Sequence, residues 1–117
     1  MKDLKISKEL IKAVLEKETE TLSKDFNFTV NEDYIEFSDD GEMQFEYCIY
    51  KFAFLCKEWA KTKKMYINSI YNEFYWDRIE KEYFADIPNK SKSFYADTEV
   101  GAIVIACEWI LENKDNK

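Results

Sequence analysis

The sequence predicts an α+β fold in which a small antiparallel sheet is covered by three or four helices, with a buried C-terminal helix. Two observations predict this class. Apolar residues recur at helical spacing near both ends of the chain, and short stretches between them alternate apolar and polar residues. With 117 residues, 46% of them hydrophobic, the chain fits a single globular domain over residues 1–117.

Helical spacing predicts a first helix over residues 7–22, with Ser7 as its N-cap. The last helix is predicted over residues 98–113 and capped by Asp97. It is apolar around nearly its whole circumference, so we expect it to be buried.

Alternation predicts an antiparallel hairpin from residues 26–30 and 34–37. The segment that follows has two interpretations. Asp39 with Glu42 fits a capping box that opens a helix, whereas Asp40-Gly41 fits a hairpin turn that leads into another strand. We favour the helix, because helical spacing of apolar residues continues from Phe45 to Trp59.

The remaining segments complete the sheet and its cover. Strands are predicted over residues 65–71 and 93–96, with a short helix over residues 76–84 between them. The predicted order is α-β-β-α-β-(α)-β-α.

The most informative feature of the chain is its charge distribution. Residues 25–50 contain eight of the 24 acidic side chains and none of the 17 basic ones. Such a segregated negative field attracts basic partners and repels nucleic acid and anionic lipid. The predicted partner-binding residues are Glu32, Asp33, Tyr34, Glu36, Asp39, Asp40, Glu42 and Glu46.

This acidic segment has two alternatives to a docking role. In the first, the segment is a solvated hairpin without a binding role. In the second, it binds Ca²⁺ through Asp33, Asp39, Asp40 and Glu42. The spacing of these four residues departs from a calcium-binding loop, in which Gly holds position six and a bidentate Glu position twelve.

Composition argues against an enzyme and predicts no cofactor. The chain has no His, the commonest general base and metal ligand near neutral pH. Its two glycines exclude a phosphate-cradling loop. Carboxylate pairs such as Glu58 with Glu108 are expected by chance among so many acids.

Other features bear on location and assembly. No apolar run approaches the ~20 residues of a membrane-spanning helix, and three dispersed cysteines fit a cytoplasmic protein. Four lysines cluster at the end of the second predicted helix: Lys57, Lys61, Lys63 and Lys64. They are interpreted either as a solvated helix terminus or as a nucleic-acid contact. Opposite charge poles that meet between copies would give a homo-oligomer.

Three short phrases carry a family resemblance. They are Phe-Leu-Cys-Lys-Glu-Trp-Ala at residues 54–60, Phe-Tyr-Ala-Asp-Thr-Glu at 94–99 and Ala-Cys-Glu-Trp-Ile-Leu at 106–111. Together they resemble small uncharacterised phage or prophage-type proteins, over about a quarter of the chain. The resemblance implies a mobile-element accessory protein and assigns no activity to any residue.

These observations lead to a non-enzymatic acidic interaction protein, an accessory or inhibitor that docks on a basic surface of a larger protein. The alternative is a small-molecule-binding or carboxylate-based catalytic domain with an aromatic pocket lined by Trp59, Trp76 and Trp109.

Overall fold

The computed structural model describes residues 4–72, 82–87, 90 and 92–113, and it confirms the α+β class. The described elements are α1 (Lys8–Val14), α2 (Glu16–Thr19), β1 (Asn27–Val30), β2 (Tyr34–Asp39), β3 (Glu42–Cys48), α3 (Ile49–Thr62), β4 (Asn68–Asn72), β5 (Glu82–Ile87), β6 (Lys92–Ala96) and α4 (Glu99–Glu112). The strands form two antiparallel sheets, each three-stranded: the first sheet, β1-β2-β3, and the second sheet, β4-β5-β6.

The first predicted helix is shorter than expected and is broken at Leu15. Ser7 caps α1 as predicted, accepting a hydrogen bond from the Leu10 N–H. Leu15 leaves the helical conformation, and α2 then ends at Thr19. Residues 16–21 contain no apolar side chain, and Thr19 is the buried residue of α2, so little apolar burial favours a longer helix here.

The preferred interpretation of residues 39–48 was wrong, because they form a hairpin and α3 begins only at Ile49. Asp40 and Gly41 have φ angles of +55° and +80°, as a two-residue hairpin turn requires. Asp39 therefore ends β2 and does not open a helix. The strand prevails because Phe45 and Tyr47 face Phe37 and Ile35 across the ladder, which buries the apolar side of all four.

The second sheet confirms two strand predictions and corrects one helix prediction. β4 and β6 overlap the segments predicted over residues 65–71 and 93–96. Of the helix predicted over residues 76–84, residues 82–84 belong to β5, and the earlier part lies outside the described residues. Pairing of β5 with both neighbours overrides the local helical spacing.

The C-terminal helix is buried, as predicted. α4 packs against the second sheet and against α3, and it buries eight of its 14 residues. Its N-cap is Thr98, whose hydroxyl accepts a hydrogen bond from the Gly101 N–H at 3.0 Å, and not Asp97. The same apolar core includes Phe37 of the first sheet and Leu10 of α1.

A carboxylate on α4 joins the two ends of the fold. The Glu108 carboxylate accepts hydrogen bonds from the Ser7 N–H at 2.6 Å and from the Ser7 hydroxyl at 2.8 Å. Ser7 lies at the N-terminal end of α1, where the helix dipole favours negative charge. Glu108 therefore ties α1 to α4.

We expect Glu108→Ala to lower the free energy of unfolding by about 1–3 kcal/mol, because it leaves two part-buried donors without their acceptor. Urea denaturation followed by Trp fluorescence measures this loss. Glu112→Ala, one turn further along α4 and exposed, is the matched control and should change stability by less than ~0.5 kcal/mol. Equal losses in the two variants would contradict a structural role for Glu108.

Candidate functional site

The predicted partner-binding residues lie along the first sheet and its two turns. Glu32 and Asp33 form the β1–β2 turn, Asp40 lies in the β2–β3 turn, and Glu36 and Glu46 lie between them on adjacent strands. We call this surface, the solvent side of the first sheet with its two turns, the acidic face. It extends for roughly 20 Å, the length of a six-residue strand.

An aromatic layer lies beneath the acidic face. Phe37 is fully buried, and its ring stacks on Phe45 with centroids 4.7 Å apart. Phe26 and Phe28 lie 5.9 and 6.2 Å from the same ring. The phenylalanines of residues 25–50 thus support the surface from inside, and Tyr34, 44% exposed, is the predicted site residue that offers aromatic area to a partner.

Two glutamates face each other at the centre of the acidic face. Glu36 of β2 is the direct cross-strand partner of Glu46 on β3. The Ile49 N–H donates to the Asp33 carbonyl oxygen, and because hydrogen-bonded pairs alternate along an antiparallel ladder, Glu36 and Glu46 form a non-hydrogen-bonded pair. Such pairs bring the two Cα atoms to about 4.5 Å. Like charges in this position destabilise the sheet.

The β1–β2 turn is held by one side chain. The Asn31 Oδ1 accepts hydrogen bonds from the N–H groups of Asp33 and Tyr34, at 2.9 and 2.7 Å. The Ile49 N–H donates to the Asp33 carbonyl oxygen at 2.8 Å and links the turn to the start of α3. Asp33 and Tyr34 therefore have a fixed backbone, with their side chains exposed.

Asp39 stabilises the fold through hydrogen bonds with Ser23. Its two carboxylate oxygens accept hydrogen bonds from the Ser23 hydroxyl at 2.5 Å and the Ser23 N–H at 2.8 Å. The Ser23 side-chain bond, followed by the Ser23 backbone bond, lowers the pKa of the Asp39 carboxyl below its usual value. Asp39 thus secures the segment after α2, and its oxygens are already engaged.

Five other carboxylates of the acidic face are not neutralised by the described residues. Among the described residues, no lysine or arginine nitrogen lies within 4.0 Å of a carboxylate oxygen of Asp33, Glu36, Asp40, Glu42 or Glu46. Glu36 accepts a 3.3 Å hydrogen bond from the Thr29 hydroxyl. The negative charge of these five carboxylates is therefore available to an external cation.

The geometry does not support the calcium interpretation. Asp33 lies at one end of β2, and Asp39, Asp40 and Glu42 lie at the other, roughly 20 Å away. Calcium ligands must all lie about 2.3–2.6 Å from the ion. In the described part of the chain, no three acidic or cysteine side chains are grouped to hold a metal.

The two described tryptophans of the alternative hypothesis each contact a neighbouring side chain. Trp109 packs against Phe94, and the Lys63 ammonium lies over the ring of Trp59. A groove of about 650 Å³ between α1 and α4 includes Glu108 and Leu111 but neither tryptophan. Trp76 lies outside the described residues.

The cysteines of the two Cys–Trp phrases meet between helices. The Cys107 thiol lies 3.5 Å from the Cys56 carbonyl oxygen, and both residues are fully buried. Burial, with the neighbouring Cys107 thiol as a second cause, raises the pKa of the Cys56 thiol well above its usual value. Cys48, by contrast, is exposed at the end of β3.

Two exposed aromatics on α3 were not among the predicted site residues. Tyr50 and Phe54 are 61% and 60% exposed, and they border a groove of about 190 Å³ against α4. Their spacing of one helical turn was readable in the sequence, but the apolar stripe through Phe52 and Cys56 was the stronger signal.

The basic end of α3 is partly engaged within its own helix. Lys61 forms a 3.0 Å salt bridge with Glu58, and the Lys63 ammonium lies over the Trp59 ring. These contacts fit a solvated helix terminus better than a nucleic-acid contact.

Comparisons with protein-family models, with curated proteins and with solved structures give no match to this chain. Within the described ranges, no helix has the length and apolarity needed to cross a bilayer.

We expect one thiol of the folded protein to react rapidly with a water-soluble disulfide reagent, and all three to react in denaturant. Thiolates are the reactive form, and burial raises the pKa of the Cys56 thiol. Cys56 and Cys107 are both fully buried, so the reagent cannot reach either thiol. Absorbance of the released thiolate counts the groups. Cys48→Ser should abolish the fast phase, and a remaining fast thiol would show that the α3–α4 contact opens readily.

We expect Glu46→Lys to raise the free energy of unfolding by about 0.2–1 kcal/mol, because it converts a like-charged cross-strand pair into an opposite one. Denaturant titration at low salt measures the gain. In a Glu36→Gln background the gain should shrink. An undiminished gain there would assign the effect to some other contact of residue 46.

Proposed function

We propose that this chain is a non-enzymatic interaction protein whose acidic face docks on a basic surface of a larger protein. The observation that carries the proposal is the Glu36–Glu46 pair, two carboxylates opposed across adjacent strands with no cation within salt-bridge distance among the described residues. The arrangement costs stability in the isolated protein. A cation from a partner would relieve that cost.

The chemistry of the pair favours a guanidinium or ammonium group. A carboxylate accepts charge-assisted hydrogen bonds, and arginine presents several donors in a planar fork. The surrounding charges of Asp33, Asp40 and Glu42 extend the negative field to both ends of the sheet. Such a field accelerates encounter with a basic partner more than it increases final affinity.

The aromatic layer supports docking by keeping the surface rigid. Because Phe37 and Phe45 fix the strands from beneath, the backbone that carries the carboxylates loses little further freedom when a partner binds. Tyr34 adds an exposed ring on the same side of β2 as Glu36.

The class of partner follows from the sign of the charge. A protein with a net charge of −7, with eight carboxylates concentrated in one segment, is repelled by nucleic acid and by anionic membranes. A cytoplasmic protein with a basic surface fits instead. The resemblance to phage-type proteins supports an accessory or inhibitor role within this proposal.

We expect the triple variant Glu36→Lys, Glu42→Lys, Glu46→Lys to lose capture of basic proteins from a lysate of the native host. Wild-type protein should capture them at low salt and release them at high salt, because screening weakens exposed charge pairs. Mass spectrometry of the captured proteins measures the difference between variants.

The matched control reverses three exposed acids elsewhere, Glu9, Glu16 and Glu20, and therefore makes the same change in net charge. It should capture the same proteins as wild type. Melting temperatures establish that both triple variants are folded, and Asp39 is left unchanged because it holds Ser23. Equal loss in both variants, or capture indifferent to salt, would overturn the proposal.

A further inference from the structure

The strand that carries Glu46 is at an open edge of the first sheet. β3 pairs with β2 on one side, and among the described residues no main-chain hydrogen bond is made on its other side. Because Glu36 and Glu46 form a non-hydrogen-bonded pair, the N–H and C=O groups of Glu46 point away from β2 and toward this edge. These two groups are available to an added strand.

Two carbonyl groups that directly precede β1, at the opposite side of the same sheet, are already engaged. The Lys8 ammonium donates hydrogen bonds to the carbonyl oxygens of Lys24 and Phe26, at 2.8 and 2.7 Å, directly before β1 begins. A lysine carried by an edge strand discourages the addition of a further strand. β3 contains no lysine, and its charged residues are Glu42 and Glu46.

The two sides of β3 differ in chemistry. Glu46 lies on the solvent side next to Glu36, whereas Phe45 and Tyr47 face inward and remain only half-buried. A register shift between Phe37 and Ser38 interrupts the ladder near Gln44, so the regular edge is confined to residues 45–48. An added strand would place alternate side chains beside Glu46 and beside the two aromatic rings.

We propose that a basic, extended segment of the partner adds to β3 as a fourth strand of the first sheet. This inference rests on the proposed function and specifies how the partner is held. The segment spans about four residues and alternates basic with apolar side chains. The basic side chains reach Glu36 and Glu46, and the apolar ones cover Phe45 and Tyr47.

A second copy of this chain fits the edge poorly. Two β3 strands side by side would bring the Glu36–Glu46 pairs of both copies into one sheet, and the like charges would repel. The same charges attract a basic segment, so charge selects the partner over the second copy.

A labelled peptide tests the inference, with fluorescence anisotropy as the measurement. The probe is acetyl-Lys-Val-Lys-Val-Lys-Val-amide, and its matched control is the same composition in blocks, Lys-Lys-Lys-Val-Val-Val. At low salt the alternating peptide should bind at least about tenfold more tightly, because only it separates charged from apolar side chains in a strand.

Backbone methylation of the peptide separates strand addition from simple charge attraction. In a strand, alternate main-chain nitrogens point to the same edge, so either the lysine nitrogens or the valine nitrogens of the peptide face β3. Methylating the set that faces β3 should weaken binding about three- to tenfold for each main-chain hydrogen bond lost. Methylating the other set should have little effect, because those nitrogens face away from β3. Equal effects of the two sets, or no effect of either, would overturn the inference.

Variants of the protein give a second measurement. Glu46→Pro removes the main-chain N–H of residue 46, which faces the open edge and is not hydrogen-bonded to β2. This variant should therefore abolish binding of the alternating peptide. Glu46→Gln keeps the N–H and should weaken binding less. Equal binding by the two variants, or a dimer of the free protein built on β3, would contradict the proposal.

The outcomes distinguish this inference from the proposed function. If charge reversal at Glu36 weakens binding but methylation does not, docking through the acidic face stands and strand addition fails. If methylation of one set weakens binding but reversal at Glu36 does not, the edge is used and the acidic docking role fails.

Discussion

The stacking of Phe37 on Phe45 is the contact on which the first sheet depends. It fixes the register of β2 against β3, because the side chains of a strand alternate between its two faces. A slip of one residue would turn Glu36 toward the core and Phe37 toward water. The buried aromatic layer and the exposed carboxylates are therefore consequences of the same pairing, and neither can be changed without the other.

A second constraint comes from α4, which fills the space between α3 and the second sheet. Most of its circumference is buried. Gly101 permits close approach of α4 to β6, since a Cβ there would lie 3.1 Å from the Ala96 Cβ. This packing provides the foundation on which α3 rests, and α3 in turn holds the β1–β2 turn through the Ile49–Asp33 hydrogen bond. The acidic face is thus supported at its centre by rings and at one end by a helix.

The sequence predicted what local periodicity determines and failed where distant partners decide. Ser7 as a cap, the buried last helix and the first hairpin follow from residues close together in the chain. For residues 42–48, the apolar residues fit both the alternation of a strand and the spacing of a helix. The strand forms because Ile35 and Phe37 of β2 pair with this segment, and that pairing is not visible in the local sequence. The positions of the acids were predictable along the chain, but the opposition of Glu36 and Glu46, and the engagement of Asp39 by Ser23, required knowledge of β3 and of the segment after α2.

The bond between Ser7 and Glu108 has a consequence for how the chain reaches its native state during synthesis. The two residues are 101 positions apart, so a ribosome adding about 5–20 residues per second makes the carboxylate roughly 5–20 s after the serine. Throughout that interval α1 lacks its anionic partner, and an isolated seven-residue helix is too short to persist in water. The tie between the two ends is therefore among the last contacts of the fold that a growing chain can form.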